Sequence, residues 1–321
     1  MNAKPLLSVV VCTYDRPEPL SRCLSSLVQA RDAVRETTIE LLVVDNGPAA
    51  LARVVVAALP PTARITLISH SPPGLSGARN RGAEAAMGQF LAYVDDDAMV
   101  PVDYLRQVVA LLIRHQPDML GGPISPYYTT PPPAWFSDAF EIRRHADHSG
   151  WSTTCAVSGS NFVIARPVLI SLGGFDQQLG MTGHRQAFGE DRELVERYRA
   201  RFSPARQRVY YALECLVLHW VPPSKMRVRY MLVRRFRGGM MHADLGIPLL
   251  RRAGPAEAVP LPTAVRRYVT TVHRAHGWSM AAAVRVGMAV AFQMGRLVGR
   301  CRRRRLGAHR NRGLVRSRPT P

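Results

Sequence analysis

Two rhythms of apolar and polar positions alternate along the first third of the chain. Short runs of β-branched and aromatic residues, typical of strands buried on both faces, alternate with stretches in which apolar residues recur every three or four positions, as in helices packed on a core. The predicted strands cover residues 7–13, 39–44, 64–69 and 90–94, and the predicted helices cover 17–28, 51–59, 76–87 and 102–114. This alternation predicts an α/β fold, with a mostly parallel sheet and helices on both faces.

The rhythm changes after residue 121 and again after the proline pair at 222–223. A stretch rich in glycine and proline comes first, followed by a predicted strand at 157–165, a helix at 190–201 and a strand at 210–218. Beyond the proline pair the pattern is helical and rich in arginine. We therefore predict one α/β domain at 1–223 and an Arg-rich helical extension at 224–321.

Charge is distributed unevenly over the 321 residues. Residues 1–224 hold 21 basic and 21 acidic side chains, whereas residues 225–321 hold 22 basic and 2 acidic ones, so the extension carries the whole formal charge of +20. Such a charge suggests a basic nucleic-acid-binding protein as one alternative. The neutral first domain and the lack of a nucleic-acid-binding motif argue against it, and we expect no nucleic acid among the partners.

Three adjacent aspartates, Asp95, Asp96 and Asp97, follow the predicted strand at 90–94. Carboxylates this close repel one another and require water or a cation nearby. They stand at the carboxyl end of a strand, where open α/β sheets bind ligands. Because side chains alternate along an extended chain, Asp95 and Asp97 point to the same side and could share a hard metal ion, while Asp96 points away. A solvated turn that caps the next helix is the alternative interpretation.

Polar residues also follow the other predicted strands, with Thr13 after the first and Asp45 after the second. These strand ends converge on one crevice in a doubly wound sheet, which favours a nucleotide site. The sequence has neither a dinucleotide-binding fingerprint nor a Walker loop. Segment 74–82 instead opens a predicted helix with three glycines and two arginines, which suits an anion but is also common in ordinary turns.

Cysteine usage and apolar segments bear on location. The cysteines are widely separated, form no C-x-x-C pair and are typical of thiols in a reducing compartment: Cys12, Cys23, Cys155, Cys215 and Cys301. The apolar run near residue 7 is too short for a signal peptide. Segment 279–299 contains two arginines and lacks the roughly 20 uninterrupted apolar residues of a membrane span. We therefore predict no transmembrane helix.

Six segments, in this order, resemble the inverting family-two glycosyltransferases of the GT-A fold. They are SVVVCTYDRP at 8–17, LLVVDNGP at 41–48, GLSGARNRG at 74–82, YVDDDAMVP at 93–101, GGFD at 173–176 and GED at 189–191. The resemblance implies a Rossmann-like GT-A sheet over residues 7–222. It also implies metal-dependent transfer of a sugar from a nucleotide-diphosphate sugar, UDP-sugars being favoured, to a hydroxyl of a glycan, lipid-linked or small-molecule acceptor.

The resemblance also implies roles for individual residues. Thr13 and Asp45 would hold the base of the nucleotide, Arg79 would lie near the base or the phosphates, and Asp95 would touch the ribose. Asp97, together with Asp95, would bind Mg²⁺ or Mn²⁺ on the diphosphate. This agrees with the chemistry, because a divalent cation neutralises the negative charge that develops on a departing diphosphate.

Two further residues enter through the resemblance. Asp191, at the start of the predicted helix 190–201, would be the catalytic base that takes the proton of the attacking hydroxyl. An acidic residue that merely stabilises the helix dipole is the alternative. His219 follows an apolar strand, where some relatives have a histidine that completes the metal shell. A hydrogen-bonded core histidine is the alternative there.

The extension contains Arg274, Arg285 and Arg296 at intervals of 11 residues, which would form a stripe on one continuous helix. With apolar residues such as Met294 opposite, this predicts an amphipathic tail that binds an anionic membrane surface. A disordered or solubilising basic tail is the alternative. We expect a cytoplasmic protein, peripheral on the inner face of the cell membrane. A catalytically inactive, glycosyltransferase-like interaction module remains a functional alternative.

Overall fold

The computed structural model describes residues 4–35, 37–152, 157–183, 189–246 and 279–315, the last range with side chains up to 303. Its contacts divide the chain into two units. One comprises Met1–Thr129 and Asp138–Val221, and the other comprises Thr130–Ser137 and Pro222–Pro321. The described part of the first unit is an α/β structure, and that of the second consists mainly of two helices.

The described strands belong to two sheets. In chain order they are β1 (Leu7–Thr13), β2 (Ile39–Asp45), β3 (Ile65–Ser69), β4 (Phe90–Asp95), β5 (Ala98–Met99), β6 (Met119–Gly121), β7 (Ile124–Tyr127), β8 (Gly150–Trp151), β9 (Phe162–Ala165), β10 (Val209–Tyr211) and β11 (Val217–Trp220). The large sheet has the order β3-β2-β1-β4-β9-β6-β10-β8. Strands β1 to β4 are parallel, as are β6 and β10, whereas β9 is antiparallel to both of its neighbours. The predicted mostly parallel sheet is confirmed.

Helices cover both faces of the large sheet. They are α1 (Pro17–Asp32), α2 (Ala52–Ala57), α3 (Leu75–Ala85), α4 (Tyr104–His115), α5 (Arg166–Ser171) and α6 (Glu190–Arg201). Alternate residues of β1 enter different cores, since Val9 and Val11 pack with α1 and α4 while Val10 packs with α3 and α6. All three valines are at most 1% exposed. Burial on both faces explains the nearly continuous apolar run of this strand.

The segment predicted as one strand at 210–218 is two strands in two sheets, so that prediction is wrong. Strand β10 lies in the large sheet, whereas β11 lies in a second sheet of order β5-β11-β7. Between them the chain turns, and the amide of Cys215 donates to the carbonyl of Ala212 at 3.3 Å. Gly122 packs on this turn, where a Cβ would be 2.0 Å from the Cys215 carbonyl oxygen. Apolar composition alone does not separate one long strand from two short ones.

The strand predicted at 157–165 is likewise shorter, because β9 begins only at Phe162. Residues 158–161 form a turn, in which the amide of Asn161 donates to the carbonyl of Ser158 at 2.7 Å. We call this segment the 158–161 turn. It places the backbone amide of Gly159 and the side chain of Ser160 before the start of β9, which pairs with β4.

Helices α7 (Val228–Asp244) and α8 (Met280–Val315) pack closely in the second unit. A Cβ on Gly239 would lie 2.0 Å from the carbonyl oxygen of Phe292, and one on Gly295 would lie 1.9 Å from that of Phe236. The two backbones therefore touch at positions where only glycine fits. Arg302 pairs with Asp244 across the same helices.

Helix α8 presents a different surface from the predicted arginine stripe. Arg274 lies outside the described residues, and Arg285 and Arg296 are only partly exposed. Larger exposed fractions belong to apolar residues, 54% for Met294 and 48% for Leu297. The pattern of α8 therefore reflects its packing against α7 as well as contact with solvent.

Segment Met280–Arg303 is long and apolar enough, by length and composition alone, to cross a membrane. The sequence predicted no such segment, because its two arginines interrupt the apolar run. In this structure 22% of the apolar window is buried. Core helices of soluble proteins can meet the same criterion.

Candidate active site

The carboxyl ends of β1, β2 and β4 lie side by side, as the sequence predicts. Thr13 pairs in register with Asp45, and Cys12 pairs with Asp95. The aspartate triplet follows, and β5 then pairs with β11 so that Ala98 lies opposite His219. This pairing brings a histidine from the end of the α/β unit next to the aspartates.

Asp95, Asp97 and His219 form a potential cation site. One ligand atom of each lies within 4.8 Å of the other two, and Nε2 of His219 is 3.2 Å from Oδ1 of Asp97. The Asp97 side chain is 5% exposed, whereas that of Asp95 is 31% exposed, so the cluster opens to solvent beside Asp95. Two carboxylates and one imidazole fit Mn²⁺ or Mg²⁺, with coordination positions left for phosphate and water.

Asp96 lies in the turn that follows β4, and it is buried like Asp97. Its carboxylate accepts hydrogen bonds from the Thr13 hydroxyl at 2.7 Å and from a terminal nitrogen of Arg16 at 2.7 Å. The other terminal nitrogen of Arg16 donates to Oδ2 of Asp97 at 2.8 Å. Burial raises the pKa of Asp96 to about 7, because it outweighs the opposite effect of Arg16. One guanidinium thus joins two carboxylates of the triplet.

Arg79 lies at the centre of a second, buried network. Its terminal nitrogens are 2.7 Å from Glu190 and 3.2 Å from Oδ1 of Asp95, and its side chain is 4% exposed. Burial alone would lower the pKa of Arg79, but Glu190 and Asp95 raise it above its ordinary value. In the structure this guanidinium is buried between Glu190 and Asp95, and its place near a nucleotide base or the phosphates stays a prediction. There it holds the Asp95 carboxylate in place.

Burial also affects Glu190, which pairs with Arg79. Desolvation raises the pKa of this carboxyl, while Arg79 opposes the rise. Asp191, the next residue, adds to it. Glu190 is therefore a buried partner of the arginine, whereas Asp191 stands on the more open side of the helix start.

Asp191 is held by backbone amides. Its Oδ2 accepts the amide of Gly159 at 2.9 Å, and its Oδ1 accepts the amide of Arg192 at 2.7 Å. Ser160, the residue after Gly159, donates its hydroxyl to Oδ2 of Asp95 at 2.6 Å. Consecutive residues of one turn therefore contact both the candidate base and a carboxylate of the cation site.

Thr13 and Asp45 are engaged by protein groups. Thr13 is 3% exposed and Asp45 is 5% exposed. The Asp45 carboxylate accepts the amides of Gly47 at 3.1 Å and of Ala52 at 3.3 Å, which shapes the chain into α2. The Thr13 hydroxyl orients an aspartate of the triplet. Direct contact of either side chain with a nucleotide base stays a prediction.

Sequence reasoning missed three contributors to this site, namely Arg16, Ser160 and the pairing role of Glu190. Arg16 precedes a proline at a helix start and resembles an ordinary turn residue. Its place three residues after β1 puts it at the same sheet edge as the triplet, which was the available signal. Ser160 was hidden inside a predicted strand.

Solved structures share this fold at low sequence identity. A mannosyltransferase, PcManGT from Pyrobaculum calidifontis in complex with GDP-Man and Mn²⁺, matches with a TM-score of 0.55 and 20% identity over 93% of this chain and 84% of that one. S. aureus TarS 1-349 matches with a TM-score of 0.51 and 16% identity over 93% and 91%. These likenesses show the GT-A fold.

The sequence profile of glycosyl transferase family 2 matches residues 8–173, and the chain belongs to this family. It is 28% identical over 245 residues, 74% of each chain, to the succinoglycan biosynthesis protein ExoM of Rhizobium meliloti (strain 1021). It is 25% identical over 241 residues, 73% of this chain and 75% of the other, to a glucosyl-dolichyl phosphate glucuronosyltransferase of Haloferax volcanii. The predicted family, fold and enzyme class are confirmed.

Proposed function

We propose that this enzyme is a metal-dependent, inverting glycosyltransferase that moves a sugar from a UDP-sugar to a hydroxyl of its acceptor. One observation carries the proposal: adjacent residues, Gly159 and Ser160, hydrogen-bond to Asp191 and Asp95. The candidate base and the candidate cation site are therefore parts of one site. A donor diphosphate fits the cation side, and an acceptor hydroxyl fits the side of the base.

Asp95, Asp97 and His219 would hold Mg²⁺ or Mn²⁺. When bound, the cation would neutralise negative charge that develops on the diphosphate as its bond to the sugar breaks. The burial of the site supports this assignment, because the Asp97 side chain is 5% exposed and shares the Arg16 guanidinium with Asp96. A surplus of buried negative charge is costly unless a cation reduces it.

Asp191 would act in a single displacement. The acceptor oxygen attacks the anomeric carbon on the face opposite the diphosphate, and the new C–O bond forms as the bond to the diphosphate oxygen breaks. The hydroxyl proton passes to the Asp191 carboxylate, and the nucleoside diphosphate leaves. One displacement inverts the anomeric configuration. The two amides that orient Asp191 leave further lone pairs on its oxygens to accept the proton.

Donor and acceptor follow from the relatives only as proposals. UDP-GlcNAc is bound in a solved TarS complex, and GDP-Man in the mannosyltransferase complex. We place UDP-sugars first and GDP-sugars second. The names of the two relatives, which concern succinoglycan and glucosyl-dolichyl phosphate, support a glycan or lipid-linked acceptor in cell-envelope polysaccharide synthesis, with a small-molecule acceptor as the alternative.

The substitution Asp191→Asn tests the proposed base. We expect the transfer rate to fall by about 10²–10⁴-fold, the usual contribution of general-base catalysis, while nucleotide-sugar affinity stays at the wild-type value. Glu193→Gln is the matched control, because Glu193 lies in the same helical turn but pairs with Arg197 at 2.6 Å. Near-normal transfer by the Asn variant, or a product with retained anomeric configuration by proton NMR, would contradict the proposal.

A second proposal concerns the tail. We propose that α8 binds anionic lipid headgroups and lies peripherally on the membrane. Its exposed apolar residues, among them Leu297 and Val298, adjoin the exposed Arg300 and Arg303. Apolar side chains beside arginines suit the boundary between lipid headgroups and acyl chains. The protein would then be cytoplasmic and attached to the inner face of the cell membrane.

A further inference from the structure

We infer that Arg16 is a positioning residue of the metal site, which holds Asp97 so that only one carboxylate oxygen faces the cation. The inference rests on the proposed metal dependence and deepens it, because it concerns which divalent cation the site selects. Arg16 contacts neither the proposed base nor the acceptor side in the described hydrogen bonds. The described partners of its guanidinium are the carboxylates of Asp96 and Asp97.

The two oxygens of Asp97 have different partners. Oδ2 accepts a hydrogen bond from Arg16 at 2.8 Å, whereas Oδ1 lies 3.2 Å from Nε2 of His219. Oδ1 is thus the oxygen on the histidine side of the cation cluster. The side chain is almost completely buried, so the carboxylate cannot turn freely without losing the guanidinium contact.

The backbone around Arg16 is also held. Asp15 adopts a left-handed conformation with φ of 48°, and its carboxylate accepts the amide of Ala49 at 3.2 Å. Pro17 opens α1, and the carbonyl of Arg16 accepts the amide of Leu20 at 3.2 Å. The Arg16 side chain is 38% exposed, yet both of its terminal nitrogens contact the triplet.

The number of Asp97 oxygens that face the cation affects which divalent metal binds best. Mg²⁺ requires nearly ideal octahedral geometry and keeps several waters, whereas the larger Ca²⁺ accepts bidentate carboxylates and higher coordination numbers. Oδ2 keeps a lone pair, but the positive Arg16 guanidinium beside it opposes the approach of a cation, so the fixed Asp97 carboxylate presents Oδ1 to the cation. Without that guanidinium the carboxylate can turn and offer both oxygens, which favours Ca²⁺ relative to the smaller Mn²⁺ and Mg²⁺.

The positive charge of Arg16 and the hydrogen bond that it donates to Asp97 have different effects on metal affinity. Loss of the positive charge of Arg16 raises the affinity for every divalent cation, because it acts on Mn²⁺ and Ca²⁺ alike. The ratio of the two affinities therefore isolates the geometric role. Arg16→Lys keeps the charge but cannot bridge two carboxylates with a planar fork, so it should lower the ratio as Arg16→Gln does.

The experiment measures Mn²⁺ binding to metal-depleted full-length protein by electron paramagnetic resonance, with Ca²⁺ as competitor and without nucleotide. We expect the preference for Mn²⁺ over Ca²⁺ to fall by about 10-fold or more in both Arg16 variants, the lower range of changes at residues that orient metal ligands. Arg81→Gln is the control, since Arg81 is a half-exposed arginine that pairs within α3. Thermal melts verify that each variant is folded.

The outcomes separate the two claims. Unchanged preference in both Arg16 variants would overturn the positioning role while the proposed metal dependence stands. Unchanged preference together with weaker UDP binding would overturn it as well, in favour of direct contact between Arg16 and the diphosphate. Failure of the wild-type protein to bind Mn²⁺, with or without UDP, would contradict the metal-dependent function and this inference with it.

Discussion

At the scale of residues, Arg79 and Glu190 form the ion pair whose loss should cost the most stability. Both side chains are at most 10% exposed. Glu190→Gln would leave the Arg79 charge with Asp95 as its remaining described carboxylate partner, and we expect a loss of about 3 kcal/mol in unfolding free energy. Urea denaturation measures it. The more exposed pair of Glu193 with Arg197 supplies the control, because Glu193→Gln should cost less than about 1 kcal/mol. Equal losses would contradict the network.

Residue types with one strong chemical use were the easiest to predict. Asp95, Asp97 and His219 were predicted as ligands, and the structure brings them together. Arg79 was harder, because an arginine near a glycine-rich helix start suits either an anion or a buried carboxylate, and its described partner Glu190 is 111 positions away in the sequence. Arg16 was missed because its contact with the triplet crosses the sheet edge, and its one local signal is its place three residues after β1.

Among the strands and helices, those stabilised by burial of their own apolar residues were predicted more accurately than those that depend on pairing with distant segments. Strand β1 has the predicted bounds because burial on both faces leaves a nearly continuous apolar run. The end of the predicted strand 210–218 belongs to β11, which lies in another sheet. The sequence did not predict this, because the partners of β11, β5 and β7, are distant in sequence. That pairing places His219 at the site, so the least predictable strand supplies a candidate ligand.

Helix α8 yields a prediction about membrane association. The double substitution Leu297→Ser with Arg300→Gln in the full chain should weaken co-sedimentation with phosphatidylglycerol vesicles. Each arginine near an anionic surface contributes about 1 kcal/mol, so the arginine alone accounts for about a fivefold loss. Wild-type binding should also decrease in high salt and be weak to phosphatidylcholine vesicles.

The Arg81→Gln variant again serves as control, because Arg81 lies on α3 in the α/β unit. Vesicle binding that is unchanged by the α8 substitutions would exclude this surface. Protein that stays in the vesicle pellet through high salt and alkaline extraction would contradict peripheral attachment and favour insertion of Met280–Arg303.

At the scale of the whole molecule, charge and chemistry are divided along the sequence. Residues 1–224 are neutral overall yet hold the carboxylates of the site, whereas residues 225–321 carry the net positive charge. A negative site requires cations to bind a diphosphate donor, and a positive tail suits an anionic surface. A sugar donor from solution and a lipid-linked acceptor at a membrane would fit this division.

In the proposed mechanism, a cation held by Asp95, Asp97 and His219 binds the diphosphate of the donor. The most direct test is mass-spectrometric detection of nucleotide release from a panel of UDP-, GDP- and other nucleotide sugars. We predict that at least one donor releases its nucleotide in the presence of Mn²⁺ or Mg²⁺ and that EDTA abolishes this release. Asp97→Asn should strongly decrease the release. Glu84→Gln, which changes an exposed carboxylate on α3, should leave the release at the wild-type level. Nucleotide release that neither EDTA nor Asp97→Asn decreases would contradict a metal-bound diphosphate, and so would the absence of release from every donor.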